Sequence, residues 1–174
     1  MSKGHLVIVA LGCSLICACD ERIGKMPEEA WGSALNGLQL RIWTDGSEFC
    51  GSDPIILRLC FRNISSKTIS IWQSGFWPNS RVQVVDARMK PAKQTPEGVC
   101  KGNAFFPGGE RSVNYKVALK PGEQYKLEPV DVRGLFELQL GSVYFVEVTY
   151  EERQEGGWTG RLISNKIRLE MKSK

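Results

Sequence analysis

The sequence predicts an all-β domain, an antiparallel β-sandwich of about seven to nine strands over residues 37–174. Three observations carry this. Apolar residues recur with a period of two from Gly37 onward. Turn signals separate the apolar runs at roughly 8- to 15-residue spacing. No segment after Gly37 carries a helical period. Strands of this kind bury their apolar faces by stacking two sheets. The 174 residues are 42% hydrophobic and 24% charged, the profile of one folded domain, which excludes a disordered tail, a collagenous rod and a polytopic membrane protein.

The first element in chain order precedes the domain. Met1-Ser2-Lys3-Gly4-His5 is a basic start, Leu6 through Ile16 is largely apolar, and Cys17-Ala18-Cys19-Asp20 places small residues at a cut. That order is a secretory signal peptide over residues 1–18. Its apolar run is about half of the ~20 residues that a transmembrane helix needs, so removal is expected over retention. Ile16-Cys17-Ala18-Cys19 resembles the lipobox of bacterial lipoproteins. The resemblance implies that the Cys19 thiol is diacylated, that the preceding peptide is cut away, and that lipidated Cys19 becomes the N-terminus. Leu11-Gly12-Cys13, with Ala10 at the aliphatic position, is a competing match with a shorter apolar core. A plain secretory signal is the alternative to both. Two or more acyl chains hold a protein stably on a bilayer where one does not. A membrane-anchored protein of the cell envelope, facing the periplasm or outside, is therefore expected, and Asp20 resembles the inner-membrane retention signal of enterobacterial lipoproteins.

Residues 19–36 mix charge, Gly, Pro and Asn around Trp31 and read as a lipidated tether, with a helical turn near Pro27-Glu28-Glu29-Ala30. The strands follow. Leu38, Leu40 and Ile42 alternate with Gln39, Arg41 and Trp43; Leu57, Leu59 and Phe61 alternate with Arg58, Cys60 and Arg62. Ile69 and Ile71, then Val82 and Val84, continue the pattern before a long loop at 87–110. It resumes with Val113, Tyr115, Val117 and Leu119, turns at Lys120-Pro121-Gly122-Glu123, and runs on through Tyr125 and Leu127. Tyr144, Val146, Val148 and Tyr150 form the most regular alternation, and Ile167, Leu169 and Met171 close the series.

Loss of residues 1–18 removes Lys3 and the only histidine, His5, leaving 22 basic and 19 acidic residues, a balance of +3. Without histidine, Ser-His-Asp and Cys-His catalysis and imidazole-ligated zinc are unavailable. A non-catalytic protein with no cofactor and no metal is expected, paired-carboxylate glycoside hydrolysis being the formal exception. Phe106-Pro107-Gly108-Gly109-Glu110 is a turn that leads into a strand pattern, not a phosphate loop. Arg88, Lys90, Lys93 and Lys101 read as a solvated loop, not a nucleic-acid surface. Of the three cysteines in the domain, Cys60 lies in a strand pattern, whereas Cys50 and Cys100 lie in loop-like segments, so a Cys50–Cys100 disulfide is expected.

Several strings together carry a second resemblance. Leu57-Arg58-Leu59-Cys60-Phe61-Arg62-Asn63 with Ser65-Ser66-Lys67, the Leu119–Glu123 turn, the strand from Gly141 to Tyr150, and Trp158 through Ile167 look like an immunoglobulin-like domain of exported bacterial proteins, over about residues 37–172. The shared features are structural: an Asn ending the second strand, a Pro-Gly hairpin, and Tyr144 near the start of the penultimate strand, resembling a tyrosine corner. Gly141 precedes Tyr144 by three residues where two are expected. The resemblance speaks to fold more than to function.

Trp72, Phe76 and Trp77 crowd one loop-like segment, and Phe105 and Phe106 another. Rigid rings on loops bury area at little entropic cost, so these five are candidate binding residues. They would otherwise plug the open end of the sandwich, with Trp77 the one expected to be exposed. Trp43 and Trp158 are expected to pack. The function expected is a binding or assembly module that contacts another envelope protein. The alternative is a carbohydrate- or peptidoglycan-binding module built on the aromatic loops.

Overall fold

The computed structural model describes residues 31–73, 75–103 and 115–173. The signal peptide, Cys19, the tether through residue 30, and Phe105 and Phe106 lie outside the described residues. In chain order the strands are β1 Leu38–Trp43, β2 Glu48–Cys50, β3 Ile56–Asn63, β4 Ile69–Gln73, β5 Ser80–Asp86, β6 Tyr115–Leu119, β7 Gln124–Lys126, β8 Val130–Asp131, β9 Val143–Glu152, β10 Gly160–Ile163 and β11 Ile167–Lys172. Two helices, α1 Pro96–Asn103 and α2 Val132–Leu135, interrupt them. The chain is therefore predominantly β, as expected, with more strands than expected because β2, β7 and β8 are pieces of only two or three residues.

One sheet holds β1, β3 and β7 in that order, with β8 also pairing with β3. The other centres on β9, which pairs with β5 along one side and with β10 and β11 along the other, β2 following β11. A separate ribbon joins β4 to β6. All pairings are antiparallel except β2 with β11, a correction to the uniformly antiparallel expectation. The Pro121-Gly122 turn forms, with Gly122 at φ +80° and Glu123 N–H donating to Lys120 O at 3.0 Å. A residue with positive φ directly after proline is the type II pattern that favours glycine. Its flanking strands nevertheless join different partners, β6 pairing with β4 and β7 with β3, so the turn is not a hairpin.

The alternation seen in the sequence becomes one shared core. Leu38, Leu40, Ile42, Leu57, Leu59 and Phe61 meet Val82, Val84, Val146, Val148, Leu169 and Met171 in a single buried cluster. Fully burying a Leu, Ile or Val contributes roughly 1.5–3 kcal/mol, which is why the phase of each strand is held. The Phe61 and Tyr150 rings, one from each sheet, meet edge to face at 4.7 Å, and Trp158 lies 6.1 Å from Tyr150. Trp158 is buried and its Nε1 donates to Leu35 O at 3.1 Å, a packing role as expected.

Two polar nodes fix the loops. Asn63 is fully buried; its Nδ2 donates to Lys67 O and Leu119 O, and its Oδ1 accepts from Ser65 N and Oγ. The Tyr144 hydroxyl accepts from Gln139 N at 3.0 Å, five residues upstream.

Residues 31–36, expected in the tether, pack against the domain. Gly32 N–H donates to Leu40 O at 2.9 Å, and Asn165 both donates to Ile42 O and accepts from Ile42 N. These bonds occupy the edge of β1 that β3 leaves open.

The long loop also contains a helix that was not expected. Thr95 Oγ1 accepts from Gly98 N at 3.0 Å, and Pro96 takes the first helical position, so the start is properly capped. Gly98 packs so closely on α2 that a Cβ there would lie 2.0 Å from Leu135 O. With eight residues, two of them glycine, and Gly98 alone buried, α1 leaves too little apolar pattern to read as a helix.

Candidate functional site

Two surfaces carry unusual chemistry. The first is the outward face of the four-stranded sheet, where the polar phase of three strands comes together. Register places Gln39 opposite Arg62, Arg41 opposite Cys60 and Trp43 opposite Arg58, with Cys60 also opposite Lys126. Trp31 folds over this grid. The Arg62 guanidinium lies 4.3 Å from the Trp31 ring centroid, and that of Arg41 lies 5.8 Å from Trp31 and 5.6 Å from Trp43. Such stacking on indole faces contributes about 0.5–2 kcal/mol, depending on how dry the contact is.

Charge on this face is poorly answered. Arg58 forms a bidentate pair with Asp45, at 2.7 and 3.1 Å. Arg62 donates to Gln39 Oε1 at 2.9 Å, a neutral partner. Arg41 is only 8% exposed, and the Nε atoms of both Arg41 and Arg62 are buried without a hydrogen-bond acceptor. Among the described residues, no carboxylate pairs with Arg41, Arg62 or Lys126. Burial lowers the Arg41 pKa, the nearby Arg62 charge lowers it further, and Cys60 opposes the shift. Burial raises the Cys60 thiol pKa against the pull of Lys126, a Tyr125 backbone hydrogen bond, Arg41 and Arg62, so Cys60 stays a protonated, shielded thiol rather than a nucleophile.

The second surface is a cleft of about 570 Å³ between β5 and the two helices, lined by Trp77, Val82, Gln94, Val99, Leu135 and Phe136 among others. The return chain takes up part of the outer edge of β5: Ala92 N–H donates to Val84 O, and Asp86 N–H to Lys90 O. At residues 80–83 no strand covers that edge among the described residues. Val99 on α1 is 47% exposed at the cleft wall.

The aromatic candidates divide. Phe76 is buried, and it packs edge to face on Trp77 at 4.6 Å. Trp77 is half-buried against the core, with Lys101 Nζ 5.8 Å from its ring, rather than the exposed residue expected. Trp72 lies in β4, with its Nε1 donating to Glu155 O and Lys116 Nζ 4.5 Å from the ring, apart from the Trp77 cleft. Phe105 and Phe106 lie outside the described residues. No continuous exposed aromatic strip forms among the described residues of the set.

The expected Cys50–Cys100 bridge is corrected: Cys50, Cys60 and Cys100 are free thiols. Cys50 ends β2, beyond β11, whereas Cys100 is on α1, whose helix walls the cleft along β5. The two sheet margins are separated by three strand spacings of about 4.8 Å, too far for the ~7 Å Cα limit of a disulfide.

The sequence reading missed Trp31, Arg41, Arg62 and Lys126. The arginines had a signal in the polar phase itself: two of the four outward residues in β3 and one in β1 are arginine. A comparison with protein-family models finds no match for this chain, and neither does one with curated proteins.

Proposed function

We propose that this chain is a lipid-anchored, extracytoplasmic, immunoglobulin-like β-sandwich that acts as a non-catalytic binding or assembly module for another envelope protein. The observation that carries the binding role is the cleft along β5, where a strand edge that no described residue covers at 80–83 lies beside the apolar wall of Val99, Leu135 and Trp77. An extended segment of a partner can add to such an edge, main-chain hydrogen bonds supplying affinity and side-chain pockets supplying selectivity. Support for the immunoglobulin-like reading comes from the Tyr144–Gln139 bond, which has the form of a tyrosine corner, and from the Phe61–Tyr150 contact between sheets. The anchor rests on the lipobox-like Ile16–Cys19 string.

A photo-crosslinking residue at Val99, in intact host cells, should form one defined adduct with an envelope protein, and the same residue at Arg168 should form none. Val99→Asp combined with Trp77→Ala should abolish the adduct. Carbohydrate binding is the second reading, favoured by Trp77 standing beside the polar groups of Gln94 and Asn103 in the cleft. It predicts retention on isolated peptidoglycan that is lost with Trp77→Ala, with no protein adduct at Val99. Intact mass of the membrane-fraction protein tests the anchor: cleavage before Cys19 plus acyl chains is expected, with precursor accumulation or release in Cys19→Ala.

A further inference from the structure

We infer that the outward face of the β1–β3–β7 sheet is a contact surface for the phosphate headgroups of an anionic bilayer, with Arg62 and Lys126 as its electrostatic contacts and the indoles of Trp31 and Trp43 as its interfacial residues. Three positive side chains, Arg41, Arg62 and Lys126, crowd around Cys60 without a carboxylate partner among the described residues. Like charges on neighbouring register positions repel, Arg62 acting on Arg41 in this way, and the burial of Arg41 magnifies the cost. An external anion removes it.

The kind of anion follows from what surrounds the charges. Trp31 and Trp43 flank Arg41, and half-buried indoles beside cations form the residue pair that settles at the headgroup level of a membrane. Position points the same way. Trp31 is where the chain enters this face, and the stretch from Cys19 to Trp31 spans at most about 40 Å when fully extended. A lipid at Cys19 therefore holds this face within a short reach of the bilayer. In this respect the inference rests on the anchor proposed above. Opposite to it, the β9–β11 face pairs Lys166 with Glu147 and Arg168 with Glu170.

The test uses the full processed chain on vesicles of phosphatidylcholine alone or with added phosphatidylglycerol, in both cases containing a brominated lipid that quenches nearby indoles. Tryptophan quenching then reports the ratio of docked to free domain. Quenching should be strong on the anionic vesicles, weak on the neutral ones, and should fall as salt is raised. Because each Lys or Arg near an anionic surface contributes about 1 kcal/mol, R62Q/K126Q should lower the docked-to-free ratio roughly thirtyfold, while R168Q/K172Q leaves it unchanged. Both double variants alter exposed or half-exposed side chains, and an unchanged thermal midpoint confirms that the fold is intact.

Equal quenching on the two vesicle types, or wild-type quenching in R62Q/K126Q, overturns the inference. So does reversal by millimolar inorganic phosphate at constant ionic strength, which would mark a discrete anion pocket. Failure of the anchor has a different signature: the protein would not float with neutral vesicles at all. Selective flotation with anionic vesicles would then sustain the surface and sink the anchor.

Discussion

The two outer faces of this domain are made from the same alternating strands and treat charge in opposite ways. On the five-stranded sheet, glutamates answer the cations: Glu151 pairs with Arg153, Glu147 with Lys166, and Glu170 with both Arg168 and Lys172, while Glu48 on β2 also reaches Lys172. On the four-stranded sheet, indole rings and a glutamine amide stand where carboxylates would be. Exposed ion pairs contribute little stability, typically 0–1 kcal/mol, so the ladder of glutamates does not hold the sheet together. What it does is balance the face. One polar phase thus carries a ladder of ion pairs, and the other carries cations stacked on indoles, with the single Asp45 pair at Arg58.

The largest effect is expected where the faces share a foundation. Phe61→Ala removes a buried ring that touches Tyr150 across the core and should cost about 3–5 kcal/mol, read by urea denaturation. Both surfaces should fail together, and loss of only one would break the picture of a common core.

Arg41→Met keeps volume near Trp31 and Trp43 while deleting a buried charge that has no carboxylate partner among the described residues, and should raise stability by about 1 kcal/mol. Glu170→Gln, on the balanced face, should lower it. A destabilised Arg41→Met would mean that stacking on the indoles already satisfies the guanidinium, and the contrast between the faces would collapse.

Acid should separate them further. Glu170 has its pKa lowered by Lys172 and Arg168. Its contribution is therefore fully present above the ordinary glutamate value of 4.5 and lost as pH falls through the lower folded value. Asp45, lowered by Arg58, follows the same sign. Thermal midpoints between about pH 5 and pH 2 should fall, less steeply in Glu170→Gln, while the arginines keep their charge throughout. An identical slope in the variant would remove Glu170 from the account.

The smallest effect is expected at Lys166 and Glu147, which approach only to 3.9 Å and are partly exposed. A double-mutant cycle should give no more than about 0.5 kcal/mol, falling with salt. A larger coupling would show that the balanced face also contributes to holding the sheet.

The period of two made most of this fold legible, because the buried apolar residues of β1, β3, β5, β9 and β11 lie in the common core. Asn63 and Tyr144 were legible as structural residues for the same local reason: a side chain bonding backbone a few residues away leaves a compact signature. Partner choice was not. Nothing at Pro121-Gly122 says that β6 and β7 leave the turn toward different strands, because a turn fixes direction and pairing depends on distant chain. The helix after Thr95 was not legible, because a helix so short draws its stability from α2 and not from its own pattern. The disulfide expectation failed because loop composition carries no distance. The charged face was half-visible: its arginines could be counted on the polar phase, whereas the fold-back of Trp31 over them is a contact between segments that no spacing encodes.

The bonds along β1 have one more consequence. An open strand edge is a template on which identical chains can stack into extended aggregates, and anchoring proteins on a surface raises the local concentration that drives such stacking. Gly32 and the side-chain amide of Asn165 occupy the main-chain groups of Leu40 and Ile42 that a neighbouring copy would use. A backbone amide and one side-chain amide thus serve as a built-in stop to sheet-to-sheet polymerisation at this margin.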